Sequence, residues 1–83
     1  MEHVHKCGSV LRHLIATGET NGIPLAEKAI GDMLTATPAD EHKASLDGVR
    51  AVVDAHRAVA SGSQLGFADA INDYIEKLMK GLE

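Results

Sequence analysis

This 83-residue chain contains five histidines and a single cysteine. These are the side chains best suited to bind a metal ion or to act as a nucleophile. His3, His5 and Cys7 follow the spacing H-x-H-x-C near the amino terminus. On a helix, residues four apart share a face, so His3 and Cys7 lie together while His5 points away. Two ligands are fewer than the four of a structural zinc site or the three of a catalytic one. We therefore predict that the chain has no metal site and no tight affinity for divalent metals.

Two other geometries would let the amino terminus hold a metal. If the first residues are frayed, the H-x-H-x-C segment could wrap an ion. A free amine, two backbone amides and His3 could also form a square-planar nitrogen site for Cu(II) or Ni(II). Because any histidine at the third position creates this second arrangement, we attribute it to chance.

Cys7 falls within the apolar face of the first predicted helix, beside Val4, Leu11 and Leu14. Lys6, its basic neighbour, points elsewhere, so no nearby cation lowers the pKa of the thiol. We predict a small core residue that is buried and reduced, not a nucleophile.

His42 and His56 both fall on the third predicted helix. Fourteen residues separate them, which is about 21 Å along a helix, so they cannot form one site. We predict that each is a core histidine bonded to a backbone carbonyl. The functional alternative for His56 is contact with a ligand or a partner in a groove.

Catalytic signatures are absent from the sequence. It has no paired carboxylates and no nucleophile elbow, and Gly8, Gly18 and Gly22 lack the spacing of a phosphate-binding loop. No acid, base and nucleophile converge, so we expect a protein that is not an enzyme and that carries no cofactor.

Turn signals divide the chain into four amphipathic segments. Gly18 to Gly22, Thr37-Pro38 and Ser61-Gly62-Ser63 mark the breaks. The pattern predicts a single all-α domain over residues 1–83, a compact bundle of four short helices with up-and-down connections. The predicted helices are 3–17, 24–36, 38–60 and 64–80, the third being the longest.

The third predicted helix carries two further stripes besides its apolar one. A charged stripe with alternating sign predicts a solvated face, and its members are Asp40, Lys43, Asp47, Arg50, Asp54 and Arg57. A stripe of small residues predicts close packing of another helix, from this chain or a second one, and its members are Ala44, Gly48, Ala51, Ala55 and Ala58. Gly48 is informative because glycine costs about 1 kcal/mol in a helix interior.

Composition limits the classes of partner and compartment. The chain has 8 Lys and Arg against 12 Asp and Glu, a net charge of −4. The basic residues are scattered, which disfavours nucleic acid and anionic membranes as partners. One cysteine and the lack of a leader sequence predict a reducing, cytoplasmic compartment. Leu82 and Glu83 match a cloning remnant.

The function that best fits these observations is a non-enzymatic interaction module. It would associate with itself, as a homodimer, or dock on a protein partner through the third helix. The expected contact residues are Ala44, Gly48, Ala51, Ala55, Ala58 and His56. The alternative is an accessory protein that binds a small molecule or a metal through His3 and Cys7, or through His56.

Overall fold

The computed structural model describes residues 2–82, with Thr20 described by its backbone alone. Within that range the chain forms four α-helices and no strand, so the prediction of an all-α four-helix bundle is confirmed. The helices are α1 (Glu2–Thr17), α2 (Ile23–Ala36), α3 (His42–Arg57) and α4 (Ser63–Leu82). Glu83, half of the predicted cloning remnant, lies outside the described residues. Between residues 2 and 82, no helix has both the length and the apolar character that a bilayer crossing requires.

Two glycines with positive φ mark the breaks that the sequence predicts. Gly18, at φ +67°, ends α1, and its N–H donates to the Leu14 carbonyl at 3.2 Å. Gly62, at φ +59°, immediately precedes α4. A residue with a Cβ rarely adopts this left-handed conformation, so these glycines fix where the chain turns.

The prediction that the third helix runs from 38 to 60 and is the longest is wrong. Pro38 is extended, with ψ at 151°, and a 3₁₀ turn over Ala39–Glu41 precedes α3. At the other end, Val59 and Ala60 donate to carbonyls three residues back, as in a helix that tightens and stops. The longest helix is therefore α4, with 20 residues against 16 in α3.

α1 and α3 lie side by side and run parallel, held by a reciprocal contact of valine on glycine. A Cβ built on Gly48 would lie 2.9 Å from Cγ1 of Val4, and one built on Gly8 would lie 3.2 Å from Cγ2 of Val52. Each helix therefore presents a valine and a glycine four residues apart, in opposite order. The two contacts have the same sequence offset, which sets the direction and the register of the pair.

α3 and α4 run antiparallel and are joined by a row of polar contacts. Arg50 pairs with Glu76 at 3.2 Å and Arg57 with Asp69 at 2.6 Å, and between them the Asn72 amide donates to Asp54 at 3.0 Å. Five of the six residues of the charged stripe are exposed, which confirms the predicted solvated face, and three of the six also contact α4.

The four helices alternate in direction, as the short connections predict, but consecutive helices are not all neighbours. α1 packs against α2, α3 and α4, whereas α2 and α3 have little contact. The Gln64 side chain donates to the Ala16 carbonyl at 2.9 Å and joins the start of α4 to the end of α1. α1 is accordingly the central helix of the bundle.

The core is aliphatic, as the composition predicts, with Phe67 as its one buried aromatic residue among those described. All four helices contribute to it. The fully buried large side chains are Leu11, Ile30, Leu46, Val49, Val53 and Ile75.

We expect Gly48→Ala to destabilise the fold by about 1 kcal/mol. Overpacking costs typically 1–3 kcal/mol, because the branched Val4 side chain must move, and the gain in helix propensity of about 1 kcal/mol offsets only part of this. Gly31→Ala in α2 is the matched control, since a Cβ there meets no atom within 4 Å. It should stabilise the fold by about 0.5–1 kcal/mol. Urea unfolding measures both, and equal stabilisation by the two substitutions would contradict a tight α1–α3 contact.

Candidate functional site

The small-residue stripe of α3 divides into an internal and an external part. Gly48 is half-buried and faces Val4 of α1, so its close helix contact lies within the chain. Ala44, Ala51 and Ala55 are exposed, and so is Ala58, just after the end of the helix. The external alanines are not covered by any described part of this chain.

A groove of about 340 Å³ lies between α1 and α3, beside these alanines. Its lining includes Val4, Gly8, Gly48 and Val52, the four residues of the valine–glycine contact. His5, Ser9 and Arg12 of α1 line its other side. The α1–α3 groove was not predicted from the sequence, although the spacings V-x-x-x-G and G-x-x-x-V on the two helices could have indicated it.

Opposite charges flank the exposed strip of α3. Asp54 lies on the α4 side of α3, where it accepts the bond from Asn72. Asp47, two turns earlier, falls on the same edge and is exposed. On the α1 side, the strip is bordered by the guanidinium of Arg12 and by the imidazole of His5, so Arg12 supplies the positive charge of that edge. Arg50 and Arg57 lie farther toward α4 and pair with Glu76 and Asp69, so the carboxylates of Asp47 and Asp54 border the strip directly. The outer surface of α3 is thus a small apolar strip with these carboxylates along one edge and Arg12 on the other.

His42 bonds to backbone carbonyls, as predicted, at the corner between α2 and α3. Its Nε2 lies 2.7 Å from the Leu34 oxygen and 3.1 Å from the Thr37 oxygen. Both oxygens can only accept, so Nε2 carries the hydrogen and donates to both. Carbonyls at a helix end lack partners within the helix, and the half-buried imidazole supplies one.

The same prediction fails for His56. Its side chain is half-buried and, within residues 2–82, forms no hydrogen bond to a carbonyl. It lies on α3 one turn after Val52, close to the border between α3 and α1. The structure therefore leaves its ring without the internal role that a core histidine would have.

A second groove, of about 350 Å³, separates α1 from α2. His3 and Cys7 both line it, whereas His5 lines the α1–α3 groove, as helical geometry predicts. The complete lining of the α1–α2 groove is His3, Lys6, Cys7, Val10, Ala29, Asp32, Met33 and Ala36.

Cys7 is a free cysteine that is only 4% exposed, so the prediction that this residue is buried is confirmed. Burial disfavours the thiolate and raises the pKa of Cys7 from 9.0 to about 11. At neutral pH the side chain is therefore protonated and a poor nucleophile.

The described side chains do not form a cluster of metal ligands. Over residues 2–82, no three His, Cys, Asp or Glu side chains are placed to hold a metal ion.

Comparison of the chain with protein-family models, curated proteins and solved structures finds no match. The function of the two grooves is therefore inferred from their shape and from the residues that line them.

We expect His42→Ala to destabilise the fold by about 1–2 kcal/mol, because two carbonyls at the end of α2 lose their donor. His42→Gln is the matched variant, since its side-chain amide keeps one N–H donor and should restore part of the loss. Thermal unfolding compares the three proteins, and an unchanged midpoint for His42→Ala would show that water replaces the imidazole at no cost.

Cys7 should react with a thiol reagent at least about 100-fold more slowly in the folded protein than in urea, because a pKa shift of two units reduces the thiolate by that factor. Reaction at pH 8 followed by absorbance gives both rates. Rapid, complete labelling of the folded protein would contradict the burial of this side chain.

Proposed function

We propose that this chain is a non-enzymatic interaction module whose partner is a second copy of itself. The contact surface, here called the docking face, consists of the outer side of α3 and the adjoining α1–α3 groove. Its α3 residues are Ala44, Gly48, Ala51, Val52, Ala55, His56 and Ala58. The observation that carries the proposal is the placement of opposite charges on the two edges of this face.

Small side chains make the docking face suitable for another helix. Ala44, Ala51 and Ala55 are exposed and project no further than a methyl group. A second helix could approach their backbone closely, as α1 already does at Gly48. Alanine also loses no side-chain entropy when it is covered, so the contact is inexpensive to form.

The charged edges favour one orientation of the second copy. If a two-fold axis runs parallel to α3, the acidic edge of each copy faces the basic edge of the other. The heights also agree, because the α1–α3 register places Arg12 level with His56, two residues from Asp54. An axis across α3 would instead bring acidic edges together, which repels.

The size of the face sets the expected strength of the dimer. A stable interface buries roughly 800 Å² on each partner, about a sixth of the 5065 Å² that this chain exposes. A strip of alanines supplies little apolar area, so the charged edges contribute much of the affinity. Ion pairs at an exposed rim are screened by salt, and the dimer should weaken as ionic strength rises.

The charge of the chain also favours a protein as its partner. Its net charge of −4 and scattered basic residues give no surface for nucleic acid or an anionic membrane. We place the module in the cytoplasm, where its single buried thiol would stay reduced.

Sedimentation analysis of the wild-type chain tests the proposal. We expect a concentration-dependent dimer at low salt that dissociates toward monomer in 1 M NaCl. Ala51→Glu puts a charge at the centre of the docking face and should give a monomer with an unchanged helical spectrum. Ala39→Glu adds the same charge in the exposed turn before α3 and should leave the dimer intact.

Arg12→Glu tests the orientation, because it reverses the basic edge and should weaken the dimer at least about tenfold, a change of 1.4 kcal/mol. A wild-type chain that remains monomeric at millimolar concentration would rule out a second copy as the occupant. A dimer that Ala51→Glu leaves intact would place the contact elsewhere on the molecule.

A further inference from the structure

Residues 18–22, here called the α1–α2 turn, contain the pair Asn21-Gly22, whose two members are constrained very differently. Gly22 is buried, and a Cβ built on it would lie 3.1 Å from Cε2 of Phe67 and 3.4 Å from Cδ2 of Leu14, so there is little room for a side chain. Asn21 is exposed, and its side chain forms no hydrogen bond within residues 2–82. We propose that Asn21-Gly22 is a self-modification site, which converts to an isoaspartyl linkage when the α1–α2 turn opens.

The reaction needs only the chain and water. The backbone nitrogen of Gly22 attacks Cγ of Asn21 and forms an N–Cγ bond. The Cγ–NH2 bond breaks, and the leaving NH2 takes up the proton that the Gly22 nitrogen gives up and departs as ammonia. Water then opens the resulting five-membered succinimide at one of its two carbonyls, which gives an aspartyl or an isoaspartyl residue with a new carboxylate. Glycine favours the first step because it has no side chain to hinder the attacking nitrogen.

The folded turn blocks ring closure in two ways. Thr20–Gly22 is a 3₁₀ turn. The ψ angle of about −20 to −30° in such a turn holds the Gly22 nitrogen about a quarter of a rotation away from Cβ of Asn21, whereas a flat ring requires the two atoms to eclipse. The Gly22 N–H also donates to the Glu19 carbonyl at 2.9 Å, so the proton that must leave is held in a hydrogen bond. Modification therefore requires local opening of the turn.

The two products have different effects on the fold. An isoaspartyl residue carries the main chain through its side chain and so adds one methylene to the backbone of the turn. Gly22 then cannot keep both its bond to Glu19 and its place against Phe67, which is only 2% exposed. The aspartyl product keeps the normal backbone, and its charge lies just before α2, where the helix dipole stabilises an anion. The isoaspartyl product thus prevents the turn from closing again.

Incubation at pH 8 and 37 °C, with and without guanidinium chloride at an unfolding concentration, tests the site. Peptide mass spectrometry and an isoaspartate methyltransferase measure the conversion of Asn21. We expect the folded chain to convert at least about tenfold more slowly than the unfolded chain, because only its opened fraction reacts. Asn21→Gln should not convert, since its longer side chain must close a six-membered ring. Equal rates in the folded and unfolded chains, or no isoaspartate in the unfolded chain, would overturn the proposal.

Two leucine variants separate opening of the turn from unfolding of the whole chain. Leu14→Ala removes a side chain that packs beside Gly22, whereas Leu78→Ala removes one that packs on the core from α4. At temperatures that give equal unfolded fractions, Leu14→Ala should convert faster, and equal rates would show that the turn is not the gate.

The purified isoaspartyl chain tests the consequence for the fold. It should unfold at a lower guanidinium midpoint than Asn21→Asp, the matched control, which has the same charge and a normal backbone. Equal midpoints would contradict the proposed effect on the turn.

Discussion

The contact between α1 and α3 is the constraint on which the rest of the bundle depends. Val4 on Gly48 and Val52 on Gly8 bring two parallel helices together at two positions where a missing Cβ atom leaves room. Because the register is fixed at two points, α1 can neither slide nor turn against α3 without a steric clash. α1 then contacts every other helix, so its placement determines both the α1–α3 groove and the α1–α2 groove.

Periodicity and turn chemistry predict three of the four helices to within two residues, because each has a strong apolar stripe and an unambiguous break. The third helix was predicted too long, since local sequence does not show that Pro38 stays extended or that the last turn tightens after Arg57. The pattern also cannot indicate which helices are neighbours. Which helices are neighbours depends on whether a large residue on one helix packs against a small residue on another, as Val4 packs against Gly48.

The candidate sites show the same division between local and tertiary information. Helical geometry separates His3 and Cys7 from His5, and the structure confirms it. The histidines of α3 are different, because whether a ring reaches a carbonyl depends on the neighbouring element. His42 donates a hydrogen bond to carbonyl oxygens at the end of α2. His56 lies at the border with α1 and bonds to no carbonyl among the described residues.

The row of polar contacts between α3 and α4 has a consequence for the order of folding. These two helices follow each other directly, so the pairing of Arg50 with Glu76 and of Arg57 with Asp69 closes only a short loop. The α1–α3 contact joins residues far apart in the chain and costs more entropy to form. We therefore expect the α3–α4 hairpin to assemble before α1 packs against α3.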